Sequence, residues 1–153
     1  MKARFINPFL AASINLFKDY LGIEVRGLNP FVRLDPHKLE EVSGVIGLAG
    51  DTLGAVVLSF SRQTAMNVVS VFSKRSYTAL TNEVLDGVGE LVNIIAGNAK
   101  KDLEEFRIQI SLPGVIVGSS YSIKWPDGVP VITIPFDSNL GSFSVNVSLK
   151  DSD

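Results

Sequence analysis

Residues 81–106 read TNEVLDGVGELVNIIAGNAKKDLEEF, and this stretch has a single helical period. At about 100° per residue, its apolar side chains share one arc of a helix. They are Val84, Val88, Leu91, Val92, Ile95, Ala99, Leu103 and Phe106. We therefore predict a long amphipathic helix over residues 81–106, whose apolar arc packs against the rest of the fold.

The opposite side of this helix is polar and carries Asp86, Glu90, Asn93, Gly97 and Glu104. Glu90 and Asn93 point the same way, one turn apart. Three interior glycines, Gly87, Gly89 and Gly97, each cost roughly 1 kcal/mol relative to alanine, so something must favour bare backbone. Close helix packing accounts for Gly89. Because Gly97 lies between Glu90 and Asn93 in azimuth, it predicts an open docking face around them.

Composition restricts the function classes. With 153 residues, 46% of them hydrophobic, the chain fits one domain over 1–153. The net charge is −2 and the 14 basic residues are scattered, which argues against nucleic-acid binding. No apolar run approaches the ~20 residues of a membrane helix, so we expect no membrane insertion. The absence of cysteine excludes disulfides and cysteine-ligated zinc, and it fits a cytoplasmic location.

Two further helices are predicted from capping residues. Asn7 followed by Pro8 is typical of an N-cap and first helical position, and the apolar pattern that follows indicates a helix over about 7–21. Ser61 is placed to cap a short helix over about 63–72.

Extended segments are predicted at 23–34, 42–50, 54–61, 108–118, 121–125, 131–136 and 142–149. The glycine-flanked turn over 50–54 indicates a hairpin. Residues 45–54 align with 131–141 if one residue is inserted, which favours an internal repeat. We therefore predict an α+β fold. Two pseudo-symmetric helix-strand-strand-strand units form a mainly antiparallel sheet with two long helices.

The motif on the long helix resembles that of a known family. Residues 90–99, ELVNIIAGNA, are preceded by Asp86 and followed by Pro113. They resemble the Asp/Ser-x-x-x-Glu-x-x-Asn…Pro motif of the CheC/CheX/FliY chemotaxis phosphatases. The chain resembles CheX-type members over essentially all of its length. The first helix lacks the second Glu-x-x-Asn of CheC-type members, because Ala12 stands three residues before Asn15.

The resemblance implies a phosphatase that hydrolyses the aspartyl phosphate on a CheY-type response regulator. It implies that Asn93 positions the attacking water and that Glu90 accepts a hydrogen bond from a lysine of the partner. No cofactor is expected in this chain, and Mg²⁺ is expected on the response regulator. The resemblance also implies a homodimer that pairs sheets, with 131–136 and 142–149 as candidate edges.

Several residues around this pair are candidate partner contacts with alternatives. Asp86 is either a helix-surface carboxylate or a contact with the partner. Ile94 is either an exposed apolar anchor or packs under a neighbouring loop. Gly97 belongs to the open face, and Asn98 and Lys100 border it as peripheral contacts or solvated groups.

The main alternative function is a noncatalytic module that binds a response regulator through the same helix face, as in flagellar switch proteins. A small-molecule-binding α+β domain has no polar constellation in its favour. The single histidine, His37, is interpreted as a loop residue.

Overall fold

In the computed structural model, which describes residues 3–36, 39–118 and 123–152, eight strands form one sheet and three α-helices pack against one face of it. The helices are α1 (Ala3–Leu16), α2 (Arg62–Ser73) and α3 (Asn82–Lys101), with a π-helical turn over Phe17–Leu21. The strands are β1 (Arg26–Gly27), β2 (Phe31–Val32), β3 (Val42–Gly50), β4 (Thr52–Phe60), β5 (Ile108–Ile110), β6 (Gly114–Val117), β7 (Ile132–Asp137) and β8 (Phe143–Asp151). Alternate residues of β3, β4, β7 and β8 meet the helices in one hydrophobic core.

The sheet has a pseudo-twofold arrangement. Its strands run in the order β1-β7-β8-β4-β3-β5, with β2 also on β7 and β6 also on β3, and these pairs are antiparallel. From either edge the succession is the same: short strands, then the first and the second strand of a hairpin. The short strands of each half pair with the hairpin of the other half. This confirms the predicted α+β fold of two helix-strand-strand-strand units.

The prediction that 131–136 and 142–149 supply free sheet edges is wrong. The β8 strand pairs with β4 along its whole length and with β7 on its other side. The β7 strand is covered in turn by β1 and β2. The outer positions of the described sheet belong to the short strands, because these cross over to the other half, and chain order does not reveal such an exchange.

The first helix starts before the position that the sequence predicts. It is already helical at Ala3, and Pro8 lies inside it, so the predicted cap at Asn7 is wrong. Pro8 removes one intrahelical hydrogen bond, but the additional turn buries Phe5 in the core and stabilises the longer helix. The predicted end is confirmed, since the π-helical turn closes at Gly22 in the left-handed conformation with φ 68°.

The helix predicted over 81–106 ends at Lys101, so its last five residues were assigned wrongly. The backbone of Arg107 is held by Asp51 in the turn of the first hairpin. Asp51 donates its N–H to the Arg107 carbonyl at 2.8 Å, and its carboxylate accepts the Arg107 N–H at 2.8 Å. The chain must leave the helix early to reach this turn, which its local periodicity does not indicate.

Three of the predicted strands differ from the observed ones. Segment 23–34 contains only β1 and β2, and segment 108–118 divides into β5 and β6 around Pro113. The strand predicted at 121–125 is wrong for its described part, 123–125, which has no ladder partner. Its first two residues lie outside the described part of the chain.

Candidate active site

Helix α3 is fixed at both ends. The Thr81 hydroxyl oxygen accepts a hydrogen bond from the Val84 N–H, with 3.3 Å between oxygen and nitrogen. Glu83 lies in the first turn, and Lys100 and Lys101 lie in the last turn. At these ends their charges interact favourably with the helix dipole and stabilise the helix. The sequence therefore sets where the helix begins, and charges at both ends stabilise it.

The rotation of α3 is set by its buried face. The residues without exposed surface are Val84, Val88, Leu91, Val92, Ile95 and Ala99. Gly44 of β3 admits the helix close to the sheet, since a Cβ at this position would lie 2.9 Å from Val92 Cγ1. Because this packing holds the apolar arc against the sheet, the opposite arc must face solvent.

Glu90 and Asn93 are both exposed on the solvent side of α3, three residues apart. Asp86 is exposed one turn before Glu90. Within the part of the chain that the structure describes, none of these three side chains has a hydrogen-bond or ion-pair partner. A carboxylate and a carboxamide therefore project together from one face, with their polar groups available to an incoming molecule.

The three glycines inside α3 have different surroundings. A Cβ at Gly87 would lie 2.7 Å from Val69 Cγ1 of α2, and a Cβ at Gly89 would lie 3.3 Å from Val115 Cγ2 of β6. These two glycines let neighbouring elements approach the helix. A Cβ at Gly97 would meet no atom within 4 Å, so close packing does not explain this residue. Gly97 leaves the surface beyond Glu90 and Asn93 low and open.

The residues bordering this face differ in exposure. Ile94 is half-buried and packs against the core, while the rest of its side chain reaches the surface. Asn98 is half-buried and Lys100 is exposed. Part of the Ile94 side chain therefore packs against the core, and its outer part continues the surface beside Glu90.

Comparison with known proteins identifies the family. A family model described as chemotaxis phosphatase CheX matches residues 42–137, more than half of the chain. The chain belongs to the CheX family of chemotaxis phosphatases. The CheY-P phosphatase CheX of Thermotoga maritima is 33% identical over 130 residues, which cover 81% of this chain and 82% of that protein.

Solved CheX structures share this fold over their whole length. Chemotaxis protein CheX from Vibrio vulnificus has a TM-score of 0.86 at 30% identity, covering 97% of this chain and 100% of that chain. CheX in the CheX–CheY–BeF3–Mg²⁺ complex from Borrelia burgdorferi has a TM-score of 0.81 at 27% identity, covering 96% and 98%.

The acidic residues of this CheX-family chain are dispersed. Among residues 3–36, 39–118 and 123–152, no group of three or more His, Cys, Asp or Glu side chains is placed to hold a metal ion. No helix within these described ranges is both long and apolar enough to cross a membrane. His37, assigned to a loop from the sequence, lies outside them.

One surface feature next to this face was missed by the sequence analysis. Between the Leu48–Ile110 pair and the Val45–Gly114 pair, the edge chain has one residue more than β3, which makes a β-bulge over 111–113. Leu112 in this bulge is 91% exposed. The signal in the sequence was Ser-Leu-Pro between two β-branched runs, where a proline interrupts the ladder.

Proposed function

We propose that this CheX-family phosphatase hydrolyses the aspartyl phosphate of a CheY-type response regulator, with Glu90 and Asn93 as its catalytic residues. The observation that carries the proposal is the joint exposure of these two side chains on an open face of α3. The names of the relatives support the substrate class. An exposed face rather than a pocket suits a substrate that is itself a folded protein.

Asn93 acts on the attacking water. An acyl phosphate is already a reactive group, so the catalyst needs to hold a water in line with the phosphorus and stabilise the transition state. The carboxamide suits this task because its oxygen accepts a hydrogen bond and its NH₂ donates one. A roughly hundredfold acceleration corresponds to about 2.7 kcal/mol of transition-state stabilisation, which positioning can supply without a general base.

Glu90 sets the register of docking. Its carboxylate accepts a charge-assisted hydrogen bond from the lysine at the phosphorylation site of the partner, one turn from the water that Asn93 holds. The divalent cation is bound by the response regulator, whose carboxylates supply the oxygen ligands that Mg²⁺ prefers. This chain orients the receiver and the attacking water, and it supplies hydrogen bonds to them.

The outer contacts and the assembly complete the proposal. The periphery of the docking face is formed by Asp86, Gly97, Asn98 and Lys100. The outer part of Ile94 lies beside Glu90.

Residues 1–153 act as one cytoplasmic phosphatase domain, and two copies form a homodimer. A monomeric mass at micromolar concentration, measured by analytical ultracentrifugation, would contradict the dimer.

The experiment separates turnover from binding. A phosphorylated CheY-type receiver is mixed with the wild type, Asn93→Ala or Glu90→Ala, and the decay of the phosphoryl group is followed. Affinity for the same receiver carrying BeF3⁻ and Mg²⁺ is measured in parallel. We expect Asn93→Ala to lose turnover while it still binds, and Glu90→Ala to weaken binding more than Asn93→Ala does.

Two results would overturn parts of this proposal. Tight binding of the wild type without faster decay would favour the noncatalytic module. Equal affinities of the two variants would contradict the division of labour between Glu90 and Asn93.

A further inference from the structure

The bulge over 111–113 holds an exposed leucine in a fixed place. The Gly47 N–H donates to the Ser111 hydroxyl oxygen at 2.8 Å, and the Ser111 N–H donates to the Gly47 carbonyl at 2.9 Å. The same hydroxyl donates to the Leu112 carbonyl at 2.9 Å. Ser111 is thus tied to β3, so the exposure of Leu112 belongs to an anchored backbone and not to a free loop.

This bulge lies against the side of α3 that carries the proposed site. Pro113, next to Leu112, would lie 3.6 Å from a Cβ at Gly89. Gly89 and Asn93 are four residues apart and therefore share one side of the helix. Leu112 therefore belongs to the segment that borders the Asn93 side of the helix. Ile94, four residues after Glu90, borders the opposite flank.

Apart from the outer part of Ile94, the docking face on α3 consists of polar groups and glycine, which gives it little of the apolar centre that protein interfaces use. Stable interfaces bury about 800 Å² on each partner. They also depend on a few well-buried large side chains surrounded by polar groups. A leucine that is 91% exposed and continuous with the helix face meets this need.

We infer that Leu112 is a docking residue for the response regulator: its side chain packs on an apolar patch of the receiver beside the phosphorylated aspartate. The inference rests on the proposed function, since the receiver is the partner that the Glu90–Asn93 face binds. Leu112 contributes to affinity and not to the chemical step, because it brings no polar atom to the reacting phosphoryl group.

The test compares Leu112→Ser with Leu34→Ser. Leu34 is 95% exposed and follows β2, at the opposite edge of the sheet, which makes it a matched control. The probe is a CheY-type receiver carrying BeF3⁻ and Mg²⁺ for affinity, and the phosphorylated receiver for turnover. We expect Leu112→Ser to raise Kd and KM roughly tenfold with kcat unchanged, and Leu34→Ser to leave all three as in the wild type. Leu112→Met should restore affinity.

Several outcomes would overturn the inference. Wild-type affinity of Leu112→Ser, alongside lost turnover in Asn93→Ala, would remove Leu112 from the interface and leave the proposed function standing. A fall in kcat alone would assign Leu112 to the chemistry, contrary to the inference. A change in mass by ultracentrifugation with receiver affinity unchanged would assign the leucine to self-association. A wild type that neither binds nor dephosphorylates the receiver would overturn both proposals.

Discussion

Helices α1 and α3 begin the two pseudo-symmetric halves, yet their exposed faces differ in chemistry. The exposed stripe of α3 presents carboxylates and a carboxamide in its middle turns. The exposed stripe of the first helix presents Arg4, Asn7, Ala11 and Asn15, without a carboxylate, and the turn that follows adds Lys18 and Asp19. A partner that brings a lysine to the site would find a hydrogen-bond acceptor on α3 and positive charge on the first helix. Of the two helices, only α3 thus presents a carboxylate beside a carboxamide on its exposed stripe.

The two helices also differ in rotation. Ala12 and Asn15 have the same spacing as Glu90 and Asn93, but Ala12 is only 4% exposed because it faces the core. A Glu-x-x-Asn spacing therefore makes a docking face only where both positions turn to solvent. Four groups of substitutions test this contrast between the helices and their surroundings.

The largest effect is expected from truncating the two asparagines. Asn93→Ala should slow dephosphorylation of a CheY-type receiver roughly a hundredfold, about 2.7 kcal/mol, because the attacking water loses its positioning group. Asn15→Ala on α1 should leave the rate unchanged. Single-turnover decay of the phosphorylated receiver measures both, and equal effects of the two variants would mean that the halves are not functionally distinct.

Rebuilding the motif on α1 should damage the fold and add no second site. Ala12→Glu places a carboxylate in the core without a partner, and we expect a loss of about 2 kcal/mol in the free energy of unfolding. Ala11→Glu, one position earlier and exposed, should stay within about 0.5 kcal/mol of the wild type. Urea unfolding gives both values. A stable Ala12→Glu variant with added phosphatase activity would refute the importance of helix rotation.

Replacing Gly87 or Gly97 of α3 by alanine should change the stability of the protein in opposite directions. At Gly87 the new methyl group meets Val69, so we expect a net loss of roughly 1.5 kcal/mol of stability from overpacking. Val69→Ala should cost less stability in the Gly87→Ala background than in the wild type, because the clash disappears. Thermal unfolding of the single and double variants forms the cycle, and purely additive effects would argue against the contact.

The smallest effect is expected at the open glycine. Gly97→Ala meets no neighbouring atom, so the higher helix propensity of alanine should raise stability by about 0.8 kcal/mol. Denaturant unfolding checks the sign. A larger residue such as Gly97→Leu should keep this stability yet weaken receiver binding, whereas unchanged affinity would place Gly97 outside the docking face.

Local sequence patterns were sufficient for several features. The 3.6-residue period of α3 gave the exposure of Glu90 and Asn93, and the capping hydroxyl of Ser61 gave the start of α2. The repeated hairpins gave the two-unit fold. The helix period and the cap depend on residues within one or two turns of each other, and each hairpin is itself a local pattern, which is why the sequence shows them.

Other features were decided only when distant segments met. Asp51 captures Arg107 and ends α3 at Lys101, and the short strands exchange between halves so that β7 and β8 become interior. Ala12 and Glu90 each stand three residues before an asparagine, but the rotation of its helix buries Ala12 and exposes Glu90. The bulge that exposes Leu112 arises because the registers in which β5 and β6 pair with β3 differ by one residue. Pairing and burial depend on partners far along the chain, and therefore no local pattern determines them.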